Sequence, residues 1–193
     1  MKILDAVSIT LLVMRVACAN TTLAVAYAPL AQSTSTPSTP SKQYPNAKTQ
    51  ANQLNNAVLS EDYEKAADLT YPKLIQLIGG RAKYLAVLKG GMNETQSDQF
   101  RIISTVSDDP TDIIEVGSDV YAILPTTMKI KVAEGVLVGQ SSLIGVSNDR
   151  GKHWTFVDAG NGFNHKQLKT LFPAAADRLK VPERKPPVLL RTL

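Results

Sequence analysis

Few residues in this chain are of a type and spacing that could do chemistry. Trp154, Phe156 and Asp158 alternate in an extended segment, so they share one face of a strand. A carboxylate in line with two aromatics is the raw material of a base in an apolar pocket. Asp68 is a second candidate base, and Tyr63, Tyr71 and Thr126 carry hydroxyls able to steady a developing oxyanion. Together they would suit proton transfer beside the carbonyl of an apolar substrate. Each also has a purely structural reading. Asp158 can cap the turn Ala159-Gly160-Asn161-Gly162, Asp68 follows Glu64-Lys65 as a solvated helix residue, and Tyr71, ahead of Pro72, can pack a helix junction.

Other chemistries lack their residues. There is no G-x-S-x-G elbow and no Cys/His pair for nucleophilic catalysis. His153 and His165 are the only histidines and lack metal-ligand spacing, so no metal and no other cofactor is expected. Asp108, Asp109 and Asp112 read as a solvated acidic turn without the twelve-residue calcium pattern, and Gly79-Gly80 and Gly90-Gly91 lack the context of a phosphate loop. Ser147 to Trp154 fits S-x-D-x-G-x-x-W, the Asp-box of sialidase-type propellers. It occurs once, which makes it a hairpin device and not a propeller blade.

The elements that would position these residues follow from periodicity. Residues 120–158 hold three alternating runs separated by Ala133-Glu134-Gly135 and Asn148-Asp149-Arg150-Gly151, the pattern of an antiparallel meander. On its first strand Ala122, Leu124, Thr126, Met128 and Ile130 share one face, while Tyr121, Ile123, Thr127, Lys129 and Lys131 share the other. Phe100, Ile102, Ser104 and Val106 alternate against Arg101, Ile103 and Thr105 as a further strand, and residues 113–116 form a short one. Upstream, Ala47, Ala51, Leu54 and Val58 mark one helical face. Ser60 is the expected N-cap of a second helix, Pro72 starts a third that Gly79-Gly80 closes, and a longer helix spans residues 81–96. Residues 165–171 read as a last helix. Helices first and strands later predict an α+β domain.

Around this domain, residues 46–175, the composition changes. Residues 1–28 combine Lys2, an apolar segment and the small-residue sites Ala17-Cys18-Ala19 and Ala26-Tyr27-Ala28, and read as an export signal too short to span a bilayer. The expected location is periplasmic or secreted, with no stable membrane span after cleavage. Residues 29–45 are a Ser/Thr/Pro-rich tether, and residues 176–193 a basic, Pro-containing tail expected to be unpacked. The net charge of +4 comes from these ends: residues 46–175 carry 13 Lys and Arg against 14 Asp and Glu. A basic groove with interleaved aromatics is missing, so nucleic acid is not an expected partner.

Leu59-Ser60-Glu61-Asp62-Tyr63, Ala67-Asp68-Leu69-Thr70-Tyr71-Pro72, Gly79-Gly80-Arg81 and the run from Ser147 to Asp158 resemble a mostly exported bacterial branch of the nuclear transport factor 2-like superfamily, which includes ketosteroid isomerases and polyketide cyclases. The resemblance covers residues 46–172. It implies N-terminal helices packed on a curved antiparallel sheet, a cone whose open end holds a pocket, and pairing of outer sheet faces in a homodimer. Where the branch is expected to carry a histidine before the proline, this chain has Tyr71. The pocket would be lined by Tyr63, Tyr71, Leu124, Thr126, Met128, Trp154, Phe156 and Asp158. The resulting expectation is an exported, cofactor-free domain that binds a small apolar ligand or a protein. The alternative is a small cone enzyme, an isomerase, dehydratase or cyclase, with Asp158 as base and Tyr71 or Tyr63 as donor. In the homodimer, Tyr121 and Ile123 would be buried between chains.

Overall fold

A computed structural model describes residues 44–95, 100–160, 163–183 and 185–191. Residues 1–28, expected to be an export signal and including Cys18, and all but the last two residues of the expected tether lie outside the described residues. Four helices come first: α1 (Pro45–Leu59), α2 (Tyr63–Asp68), α3 (Pro72–Ile78) and α4 (Arg81–Thr95). Strands β1 (Phe100–Ser107), β2 (Asp112–Val116), β3 (Asp119–Val132), β4 (Gly135–Ser147) and β5 (Thr155–Asp158) follow. Helix α5 (His165–Leu171) and strand β6 (Val188–Arg191) complete the order. The chain is α+β with a curled antiparallel sheet.

The sheet is built on one hairpin. β3 and β4 pair along their whole length, from Val120 opposite Ser147 to Val132 opposite Gly135. Each outer edge is then shared by two short strands. β2 pairs with the first half of β3 and β1 with the second, while β5 pairs with the second half of β4 and β6 with the first. The sheet therefore has a proximal half carrying β2 and β5 and a distal half carrying β1 and β6.

Both faces of the proximal half are covered. Val120, Ala122, Leu124, Leu143, Trp154 and Phe156 pack against α1, α2 and α4 in a first core. Tyr121, Ile123, Ile144, Val146 and Val157 pack in a second core against Leu168 and Leu171 of α5 and the segment after it, where Phe172, Ala175, Ala176 and Leu179 are buried. This corrects two expectations. Tyr121 and Ile123 are covered by the chain's own C-terminal segment and not by a second copy. The tail does not hang free from residue 176, because burying Ala176 and Leu179 completes the second core, and β6 pairs with β4.

Local details differ where tertiary pairing overrode periodicity. A register shift between Ile102 and Ser104 places Ser104 opposite Lys129 and Thr105 opposite Met128, so the even alternation along β1 breaks at Ile103. Ser60 belongs to the end of α1, donating to the Ala57 carbonyl. The N-cap of α2 is Asp62, which accepts from the Lys65 amide at 3.2 Å. Glu61, at positive φ, separates the two helices.

Glycines in β4 report how tightly the two halves are packed. A Cβ at Gly145 would sit 3.0 Å from the Trp154 ring, 3.2 Å from Phe156 and 3.3 Å from Leu124, whereas one at Gly139 would meet nothing within 4 Å. Gly145→Ala is expected to cost about 1–3 kcal/mol through overpacking. Gly139→Ala should stay within about 0.5 kcal/mol of the parent. Urea unfolding of the two variants checks the pair, and equal effects would contradict a filled proximal core.

Candidate functional site

The residues expected to line a pocket divide into groups that do not meet. Leu124, Trp154 and Phe156 are fully buried side chains of the first core. The Trp154 indole donates to the Gly151 carbonyl at 3.0 Å, and its ring stands edge-on to Tyr44 with centroids 5.8 Å apart. These aromatics are structural floor and not the wall of a cleft. Met128, further along β3, is half-buried.

Thr126 is consumed by a buried polar network. Its hydroxyl lies 2.8 Å from the Ser107 hydroxyl, which accepts from the Asn55 amide at 3.0 Å. One turn earlier on α1, Asn52 accepts from the Ser107 amide at 3.0 Å and donates to the Ser107 carbonyl at 2.9 Å. Two asparagines three residues apart on α1 thus dock the end of β1, and each buried group finds the partner it needs. Ser107, Asn52 and Asn55 escaped the sequence reading because isolated polar residues carry no periodic signal.

Asp158 and Tyr71 lie on opposite sides of the sheet. Asp158 follows Phe156 in parity and pairs with Leu143, which places it on the face of the first core. It accepts from the Gly160 amide at 2.7 Å and the Ser141 hydroxyl at 3.1 Å, the turn-capping role. Tyr71 belongs to the second core, stacked on Phe172 with centroids 5.5 Å apart. Burial pushes its phenol up, with the negative charge of Asp119 adding to the effect. The hydroxyl on the Asp158 side is Tyr84 of α4, buried, 2.7 Å from the Thr70 hydroxyl, and raised chiefly by burial. Tyr84 is buried on one helical face with Leu88 and Met92, and its partner Thr70 lies 14 residues earlier, between α2 and α3.

Asp68 stands apart from these groups, while Tyr63 packs on the outside of the first core. Asp68 is exposed and accepts from Arg81 at 2.7 Å, while Glu64 takes the other side of the same guanidinium. Tyr63 is half-buried, its hydroxyl has no hydrogen-bond partner among the described residues, and burial raises its pKa. It borders a surface groove of about 330 Å³ between α2 and α4, lined also by Glu61, Asp62, Leu85 and Lys89. A second groove of about 500 Å³ lies beside α1 and His153. Both open broadly to solvent. No group of three His, Cys, Asp or Glu among the described residues could hold a metal ion, and no described helix is long and apolar enough to cross a membrane.

The Asp-box forms the hairpin that its residues imply. Ser147 accepts from the Gly151 amide at 2.9 Å, and Asp149 accepts from the amides of Lys152 and His153 at 3.0 and 2.9 Å. Arg150 and Gly151 both take positive φ. A Cβ at Gly151 would enter the Tyr44 ring, so glycine is required there on two counts. Gln50 of α1 ties this turn to the helices, accepting from the Trp154 amide at 2.8 Å and donating to the Lys152 carbonyl at 2.9 Å.

Compared with known proteins, the chain matches no family model and no curated sequence.

The His153 amide, then the His153 ring, and further the Ser147 hydroxyl hold the Asp149 carboxyl well below its usual range. A carboxylate depressed in the folded state adds stability that is full above the unfolded value, about pH 4, and is lost as pH falls further. Asp149→Asn should therefore lower the urea midpoint at neutral pH. The gap to the parent should narrow steadily below about pH 4. A gap independent of pH would mean that the ionised carboxylate is not what holds the turn.

Proposed function

We propose that this chain is an exported, cofactor-free protein-interaction domain with the cone architecture of the nuclear transport factor 2-like superfamily. The order of helices before a curled antiparallel sheet supports the architectural part. The observation that carries the functional part is the filled proximal core. Where a cone would hold its ligand, Leu124, Trp154 and Phe156 are already in contact with α1, α2 and α4. The three side chains leave nothing for a small apolar molecule to displace.

The enzyme reading needs a base and a donor on one substrate. Asp158 and Tyr71 sit on opposite faces of a sheet that side chains cannot cross, and Asp68 is neutralised by Arg81 at the surface. Tyr63 borders a groove lined by three carboxylates, Glu61, Asp62 and Glu64, against one cation, Lys89, a net negative surround that does not suit an enolate or any other developing negative charge. Recognition through a surface is what these arrangements leave. The distal half of the sheet supplies one, with Ile103, Val106, Val188 and Leu190 all exposed.

Native mass spectrometry of the full chain extracted from its host, paired with cross-linking before extraction, tests the reading. The chain is expected at its bare mass after desalting, with cross-links to a discrete protein. A small molecule retained at one per chain and released only on unfolding would overturn it in favour of ligand binding.

A further inference from the structure

The distal half of the sheet has one face toward the helices and one that no described element covers. The register assigns residues to that open face, because directly paired residues project to the same side. Tyr121 and Ile123 point to the second core, and so, by alternation, do Thr127, Lys129 and Lys131 further along β3. The C-terminal segment that covers Tyr121 and Ile123 packs on the proximal half, and Lys129 and Lys131 are exposed. Across from them lie Val106 on β1 and Val138 and Val136 on β4. β6 extends the same face with Val188 opposite Val138 and Leu190 opposite Val136. Val106 is 50% exposed, Val188 59% and Leu190 56%.

The charges on this face have one sign. The register shift in β1 brings Arg101 opposite Lys131, so Arg101 joins Lys129 and Lys131, while Arg191 at the end of β6 pairs with Gly135 and projects to the other face. None of the three cations on this face has an ion-pair partner among the described residues. Among the described residues, the carboxylate adjacent to these cations in sequence is Glu134 in the β3–β4 turn. The domain as a whole is close to neutral, so this concentration is local and not an expression of net charge.

We propose that this open face docks an acidic protein segment bearing aliphatic side chains; the inference rests on the interaction reading above. The valines form a shallow apolar floor, and the longer Lys and Arg side chains stand beyond them. A complementary surface needs carboxylates to meet the cations and aliphatic groups to reach the floor between them. A second copy of the same face is disfavoured, since a twofold contact would set three cations against three. A lipid surface fits less well, because insertion needs apolar groups that protrude past the charges and this face offers no aromatic anchor.

The probe is a synthetic peptide of alternating glutamate and valine, titrated against the full chain by fluorescence anisotropy. Binding should weaken on the order of tenfold in the double variant Lys129→Glu/Lys131→Glu, and also with added salt. Val106→Asn should weaken it through the floor without altering the salt dependence. Lys166→Glu, on α5 away from the face, should leave it unchanged, and equal urea midpoints establish that each variant is folded. Equal loss in Lys166→Glu, or no response to the double variant, would overturn the proposal. Binding of phosphatidylglycerol vesicles but not peptide, abolished by the double variant, would overturn it in favour of a lipid surface. A dimer in sedimentation that the double variant dissociates would overturn it in favour of a second copy. Cross-linking in the host separates the two levels: a protein still captured by the double variant rejects this face alone, whereas no capture by the parent chain rejects the interaction reading with it.

Discussion

Residues 120–124 of β3 are buried without interruption, and the rest of the molecule answers that constraint. A strand sends alternate side chains to opposite faces, so a continuous apolar run demands a cover on each side. Val120, Ala122 and Leu124 take the N-terminal helices. Tyr121 and Ile123 take α5 and the chain after it. Both layers are thus required by five consecutive residues, and the C-terminal segment is as much a part of the domain as the helices that precede the sheet.

The same double cover decides what the interior can do. A curled sheet with helices on one side alone can keep a cleft at its open end, but here the aromatic contributions of β5 and the residue before it close the volume. Gly145 leaves room for the Trp154 and Phe156 rings on the neighbouring strand, and Tyr44 at the start of α1 seals the indole edge. The sheet also divides the titratable groups. Tyr71 hangs from the junction between α2 and α3, where its amide donates to the Phe156 carbonyl, yet its ring turns to the second core while the Phe156 side chain turns to the first. Proximity in the backbone and convergence of side chains are separate matters.

Much of the scaffold was legible because it rests on local rules. The meander, its two turns, the helix restarted at Pro72 and closed at Gly79, and the long helix from Arg81 all follow from alternation, proline and glycine. The β1 bulge was not legible, since nothing in Phe100 to Ser107 marks one residue as extra; it is imposed by pairing with β3. The packed C-terminal segment was hidden by composition. Charged and proline residues between Asp177 and Pro187 read as solvated, although Ala176 and Leu179 at helical spacing were enough to finish a core. That the candidate site residues do not converge was hidden for a related reason. Parity put Trp154, Phe156 and Asp158 on one face correctly, but it carries no information on whether that face meets solvent or a helix.

What remains uncovered is the other end of the same hairpin, and its composition differs in a way that has a physical logic. Among the described residues two edges there carry no further strand: β1 beyond β3, and β6 beyond β4. Exposed aliphatic edges invite pairing with any passing strand, and the remedies available are bulges and charge. β1 carries both, a bulge at Ile103 and Arg101 brought level with Lys131, while β6 is kept to four residues and ends on Arg191. The cations therefore suppress indiscriminate association of a face that could have been made polar throughout. Retaining valines beneath them preserves an apolar surface that opens only to a partner able to neutralise the charge. A wholly polar face would be as soluble and would offer such a partner far less to bind.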